Sequence, residues 1–287
     1  MLSAVVSSAR ERGEEAVVVT FWPHPRTVLQ QDAREFRILT SLEEKKALLL
    51  AAGIDRVEVI PFTREFAAMK ADEYLQLLAD KYGASLVVMG YDNRIGSDKL
   101  TAEEIGISQA VAPRPLPTSL RSVGPLPFTW PRAAMVSEDS NAPVISSTKI
   151  RKALQEGRVE EANGMLGYRY GLYGVVVAGN QMGRTMGFPT ANMQLYEPLK
   201  LVPANGVYAV EAEVLGATYK GMCNIGMRPT VGGASRTIET HILDFDQDIY
   251  GLPLRIRFLR RIRDERKFPS LEALREQLTL DALNCKK

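Results

Sequence analysis

The sequence predicts an α/β, doubly wound domain, incomplete at its start, followed by an all-β closed barrel with a terminal helix. Three observations predict it. Up to about residue 90, short β-branched runs alternate with helical patterns, as βαβ units require. After Tyr168, five or six strand-like runs separated by Gly, Pro and Asn follow with no helix between them. The chain then closes on one amphipathic stretch, "SLEALREQLTLDAL". A chain of 287 residues has room for two ordinary domains. The change of character places their boundary near Gly167, giving domains at 1–166 and 167–287.

Taken in order, Leu2 to Arg12 reads as a helix with no strand before it. "AVVVTF" (16–21), "VEVIPF" (57–62) and "SLVVMG" (85–90) read as strands buried on both faces of a parallel sheet. Between the first two, Ser41 and Glu44 have capping-box spacing and Gly53 marks a helix stop. Between the second and third, Asp72 is the expected cap, Leu75, Leu78, Ala79 and Tyr82 form an apolar face, and Gly83 ends the helix. Residues 105–137 break the pattern, with prolines at 113, 115, 117, 125, 127 and 131 that neither a helix nor a central strand tolerates. This segment reads as a surface linker or as a locally replaced stretch. "ISSTKIRKALQEG" restores order with a Ser/Thr-rich cap and a helix, and helical "VEEANGMLG" follows. The barrel runs are "LYGVVVAG", "GVYAVEAEVLG", "ATYKGMCNIG", "RTIETHILDF" and "LRIRFLRRIR".

Composition removes several functions. A net charge of +2 gives no general pull toward nucleic acid or membrane. No apolar run approaches the ~18 residues a membrane span needs. Cys223 and Cys285 are far apart and lack metal-ligand spacing, so reduced thiols and a cytoplasmic location are expected. With only His24 and His241, a His-rich metal site is excluded. Neither a Walker-type nor a dinucleotide glycine fingerprint occurs.

The stretch "GRTMGFPTAN", Gly183 to Asn192, remains as the candidate site. With Gly179 it makes a glycine-flanked turn whose backbone N–H groups can approach phosphate oxygens, and Arg184 can pair with them in bidentate fashion. Gly187 lies within the turn, and Pro189 fixes φ ahead of Thr190 and Asn192, which share a face on an extended segment. A hydroxyl and an amide oxygen there suit Mg²⁺, which takes few protein ligands and keeps phosphate and water for the rest. The alternative is a β-turn in which Asn and Thr bond their own backbone. In strand register Glu239 and His241 share one face, while Ile238, Thr240 and Ile242 take the other.

"GRTMGFPTAN", "LVPANGVYA", "GMCNIGMRPT", "IETHILDF", "DIYG" and "RDERKFPSLEALREQLTLD" together resemble riboflavin kinases over nearly all of 168–281. "TFWPHP", "LTSLEEKKALLLAAGID", "PFTREFA", "GYDNRIG" and "ISSTKIR" resemble the nucleotidyltransferase half of the bacterial bifunctional riboflavin kinase/FMN adenylyltransferase family. The resemblance implies a six-stranded barrel and riboflavin, FMN and ATP as ligands. It implies Mg²⁺ and ATP phosphates at Thr190 and Asn192, and Gly179 and Gly183 beneath the nucleotide. It also makes Glu239 the general base, with His241 as a structural partner of that carboxylate. The adenylyltransferase half departs from its pattern. The family's first strand, glycine turn and H-x-G-H motif have no counterpart here, and Ile95 replaces an aromatic in "GYDNRIG". Impaired FAD synthesis and an exposed sheet edge are therefore expected. "ISSTKIR" could hold phosphate at a helix N-terminus or act as a plain cap. Two other readings are a nucleic-acid stripe along "RIRFLRRIRDERK" and an inactive flavin-binding protein. The oligomeric state is not legible.

Overall fold

The computed structural model describes residues 2–29, 36–89, 93–101, 104–105, 145–179, 182–230 and 233–286. The chain divides into two compact units, Met1–Phe36 with Leu42–Ala142, and Arg37–Ser41 with Pro143–Lys287.

The first unit opens with helix α1 (Leu2–Arg12) and strand β1 (Val17–Trp22), followed by α2 (Pro25–Leu29), α3 (Leu42–Ala51), β2 (Arg56–Pro61), α4 (Arg64–Ala67) and α5 (Ala71–Tyr82). β1 and β2 pair in parallel from Val17–Arg56 to Trp22–Pro61, the crossover that the alternating pattern predicts. Helix α3 stops where expected. Gly53 takes φ +92, and its N–H bonds the Leu50 carbonyl. Gly83 ends α5 in the same way, at φ +65.

Two expectations fail here. Residues 85–89 join no ladder, so the sheet of the described residues has two strands. Met89 is buried and Val87 packs beside it against Ala71 and Leu75, so apolar burial placed the run without giving it a hydrogen-bonded neighbour. Asp72 is not the cap of α5, because the helix already includes Ala71. The exposed N–H groups are taken from either side instead. Glu73 accepts from the Lys70 N–H at 2.9 Å, and Asp98 accepts from the Ala71 N–H at 3.0 Å. Leu75 and Leu78 are buried as the periodicity requires. Apart from Ile105, packed beside Ala71 and Leu75, the proline-rich 105–137 segment lies outside the described residues.

The second unit is the barrel. Helices α6 (Ser147–Gln155) and α7 (Val159–Leu166) precede β3 (Gly171–Val177), the short α8 (Met182–Thr185), β4 (Ala191–Leu195), β5 (Gly206–Val214), β6 (Ala217–Thr230), β7 (Gly233–Ile242), β8 (Pro253–Arg263) and α9 (Leu271–Lys286). The six strands β3 to β8 close in the order β3-β4-β7-β6-β5-β8, so no strand is left with a free edge. The interior is apolar, with Leu172, Val210, Ile225, Leu254, Ile256 and Phe258 all buried. Ile150, Leu154 and Val159 of α6 and α7 join the same core. Asn163 fastens α7 to the barrel, donating to the Phe258 carbonyl and accepting from the Tyr170 N–H. Helix α9 is capped by Ser270 and held by a buried ion pair, in which Arg263 Nε donates to Asp281 Oδ2 at 2.8 Å. Gln277 bonds the other Asp281 oxygen at 2.7 Å.

A short segment from earlier in the chain completes this unit. Ile38 bridges Lys200 in parallel, with bonds from Ile38 N–H to the Leu199 carbonyl and from Leu201 N–H to the Ile38 carbonyl. The buried Lys200 donates to the Leu39 carbonyl at 2.7 Å, and Arg151 donates to the Arg37 carbonyl at 3.0 Å.

Candidate active site

The site grows out of the barrel's register. Val177, at the end of β3, faces Asn192 of β4, and Asn192 faces Glu239 of β7. Glu239 in turn faces Asn224 of β6. Directly opposed residues bring their Cβ atoms to about 4.5–5.5 Å. Ala191, Met193, Ile238, Thr240 and Ile242 point into the core. Asn192, Glu239 and His241 are half-buried on the other face, as strand alternation predicts.

The turn brings the remaining predicted residues to that row. Gly179 follows β3, Gly183 and Arg184 lie in α8, and Gly187, Pro189 and Thr190 lead into β4. Its glycines have separate reasons. A Cβ on Gly179 would sit 2.1 Å from Asn192 Nδ2, so the carboxamide lies directly against the glycine backbone. A Cβ on Gly183 would sit 2.2 Å from the Phe188 carbonyl oxygen, while the Phe188 N–H bonds the Gly183 carbonyl at 2.8 Å and closes the turn. Gly187 has open space around it but takes φ +83, which disfavours other residues. Thr190 Oγ1 then lies 3.5 Å from Glu239 Oε2. His241, expected beside that carboxylate, reaches the backbone of the turn, with Nδ1 2.8 Å from the Pro189 oxygen.

A pocket of about 320 Å³ opens against the turn. Arg184 and Thr190 flank it on one side, and Asp246, Asp248 and Tyr250 of the loop after β7 on the other. Thr190, Pro189 and Arg184 thus border one concave space whose strand lining is Val176, Ala191, Thr240 and Ile242, while Asn192 and Glu239, on the opposite strand face, do not line it. A larger cavity of about 1090 Å³ lies in the first unit, among apolar groups that include Val17, Val19, Phe21, Phe66 and Val87. None of the predicted site residues borders it. Sequence reasoning missed Asn224 and the pocket role of Asp246 to Tyr250. The strand register supplies the first, and "DIYG" was visible only as part of a resemblance.

A riboflavin kinase family model matches residues 166–287, and an FAD synthetase family model matches 1–110. The bifunctional riboflavin kinase/FMN adenylyltransferase of Bacillus subtilis is 35% identical over 95% of this chain and 82% of its own length. That of Escherichia coli K12 is 32% identical over 100% of this chain and 86% of its own. The chain belongs to the bifunctional riboflavin kinase/FMN adenylyltransferase family. A Streptococcus pneumoniae crystal structure described as a macrolide-efflux protein superposes with a TM-score of 0.83 at 31% identity, covering 100% of this chain and 88% of that one. Among the described residues no helix is long and apolar enough to cross a membrane.

In this member of the family, other reactive groups of the barrel serve packing. Burial pushes the Cys223 thiol up to about 12 and that of Cys285 up to about 11, so both stay protonated and unreactive near neutral pH. The cations of β8 are engaged within the protein. Arg255 lies over the Tyr173 ring, Arg257 pairs with Glu213, Arg261 bonds the Glu156 and Asn205 carbonyls, and Arg263 pairs with Asp281. In the first unit, His24 sits in a tight turn. Its carbonyl accepts from Thr27, its Nδ1 accepts from the Arg26 N–H at 3.2 Å, and its ring lies 4.7 Å from that of Phe36. Ser146 caps α6 by accepting from the Lys149 N–H at 3.3 Å.

Proposed function

We propose that this chain phosphorylates riboflavin to FMN with ATP, and that its kinase half is 167–287. The observation that carries the reading is the cross-strand row of Asn192 and Glu239 with Thr190 3.5 Å from the carboxylate, Thr190 also bordering a pocket that Arg184 lines. The oxygen donors of Thr190 and Asn192 fit Mg²⁺, a hard cation that needs few protein ligands. When bound, the ion neutralises charge on the ATP phosphates. The remaining work belongs to the protein. Gly179 and Gly183 let backbone N–H groups approach the phosphates, Gly187 and Pro189 shape the turn, and Arg184 pairs with phosphate oxygen. Glu239 takes the proton of the ribityl 5′-hydroxyl as its oxygen bonds to the γ-phosphorus and the bond to the ADP oxygen breaks.

The family couples this step to FMN adenylylation, assigned here to 1–166. This 287-residue chain should make far less FAD than FMN. Its only histidines, His24 and His241, lie far apart in the sequence, and His24 bonds within its own turn. The two free thiols support a cytoplasmic location. The internal engagement of the β8 cations speaks against a nucleic-acid stripe.

The test is a product analysis. Riboflavin, ATP and Mg²⁺ should give FMN; a folded sample that yields none at saturating substrate sinks the kinase reading. FMN, ATP and Mg²⁺ should give little FAD or pyrophosphate, and turnover equal to the kinase step would overturn the impairment. An inactive flavin-binding protein would bind FMN and consume no ATP.

A further inference from the structure

His241 lies two residues beyond Glu239 on β7, on the same face, beside the turn rather than the pocket floor. Two contacts tie it to the turn. Its ring meets Phe188 edge-on at 5.3 Å, and Phe188 packs against the cluster of Met222, Leu243 and Cys285 that carries α9. Its Nδ1 lies 2.8 Å from the Pro189 carbonyl oxygen. A carbonyl oxygen only accepts, so Nδ1 must carry the hydrogen. That oxygen shares a rigid peptide plane with the Thr190 amide, so fixing it fixes the direction in which Thr190 enters β4. Proline has no N–H of its own, which leaves its carbonyl as the backbone group by which this position can be held.

We propose that His241 is a positioning residue, which orients Thr190 and Asn192 toward the metal–nucleotide by donating Nδ1–H to the Pro189 carbonyl. The proposal rests on the reading of Thr190 and Asn192 as the Mg²⁺–ATP site. A competing role, in which the imidazole only fills space beside Phe188, makes a different forecast. Phenylalanine at 241 keeps the ring and loses the donor, whereas asparagine keeps an N–H near the Nδ1 position and loses the ring.

The experiment uses the full chain, titrated with Mg²⁺–ADP by calorimetry without riboflavin. His241→Phe should weaken Mg²⁺–ADP binding by roughly five- to tenfold, the worth of one hydrogen bond, and His241→Asn should return it to within about twofold of wild type. In steady state the KM for Mg²⁺–ATP should rise by the same factor in His241→Phe while kcat changes by less than about twofold. Equal Mg²⁺–ADP affinity in wild type and His241→Phe overturns the proposal and leaves the kinase reading standing. A wild-type chain that binds no Mg²⁺–ADP overturns both. Should the variants fold poorly, ¹⁵N NMR of the neutral wild-type imidazole decides alone. The Nδ1–H tautomer supports the role, and the Nε2–H tautomer refutes it.

Discussion

The barrel and the sheet of the first unit solve the same problem in opposite ways. In the barrel, every strand has two neighbours, so the register of β3, β4 and β7 sets Asn192 against Glu239. Among its described residues the first unit has two paired strands, β1 and β2, and its third apolar run packs at residues 85–89 without joining them. Both regions bury apolar side chains in period. Ladder pairing converts that burial into fixed cross-strand distances, which a chemical site needs, and closure gives every barrel strand two such ladders. The difference teaches that a hydrophobic run reports where a segment goes, while the neighbouring ladder decides what stands opposite it.

The sharpest way to break the comparison is Glu239→Gln. It keeps the shape of the row and removes the base, so kcat should fall by roughly 10²–10⁴ with little change in riboflavin affinity. A variant that keeps more than about a third of wild-type kcat would show that the barrel's register does not carry the chemistry in this way. Next comes Asp281→Ala, which strands Arg263 beside a site where the Asp281 side chain is 0% exposed. Removing one partner of such a buried pair costs about 3–5 kcal/mol. Thermal unfolding should show the barrel's transition falling while that of the first unit stays put. Simultaneous loss of both would mean the two regions do not melt as separate units. Gly179→Ala is a smaller test, with about 1–3 kcal/mol of overpacking where the new Cβ meets the Asn192 carboxamide. FMN formation should drop and the barrel's melting temperature should fall by several degrees, and full activity would show that Asn192 can move away without consequence.

The smallest effect belongs to the first unit. Hydrogen bonds from the Arg10 guanidinium, and then from the Ala16 N–H, hold the Asp55 carboxyl down at about 2, against an ordinary value of 3.8. A depressed carboxylate contributes fully above its unfolded value and loses that contribution as pH falls through about 2. The Ala16 N–H, 2.8 Å from Asp55 Oδ2, should therefore exchange faster, relative to the intrinsic rate, as pH drops from about 4 toward 2. Protection unchanged across that window would remove Asp55 from the contacts that anchor β1.

Much of this was legible beforehand, and the exceptions share a cause. The barrel runs, the alternation at Glu239 and His241, the helix stops at Gly53 and Gly83 and the terminal helix all follow from local period and turn chemistry. β4 was not read as a strand by period. It has five residues, starts two beyond Pro189, and carries Asn192 where strand propensity is poor. Its strand state comes from neighbours on both sides, β3 and β7. The ladder expected at 85–90 failed for the converse reason, since propensity was present and no paired neighbour was. Asp72 was displaced as cap because Asp98, 26 residues further on, supplies an acceptor that no local window contains. The partner of His241 is likewise remote, in the turn before β4.

The short strap at 37–41 has a consequence for how this gene can be cut. The ammonium of Lys200 is buried and rests on the Leu39 carbonyl, and the backbone of 199–201 completes its bonds on Ile38. A polypeptide begun at Pro143 would contain every strand of the barrel and still lack the Leu39 carbonyl to which this buried ammonium donates, at the cost of a hydrogen bond. The barrel unit is thus spatially compact and yet discontinuous along the chain. A swap of one contiguous cassette from Pro143 onward would leave five of its residues behind.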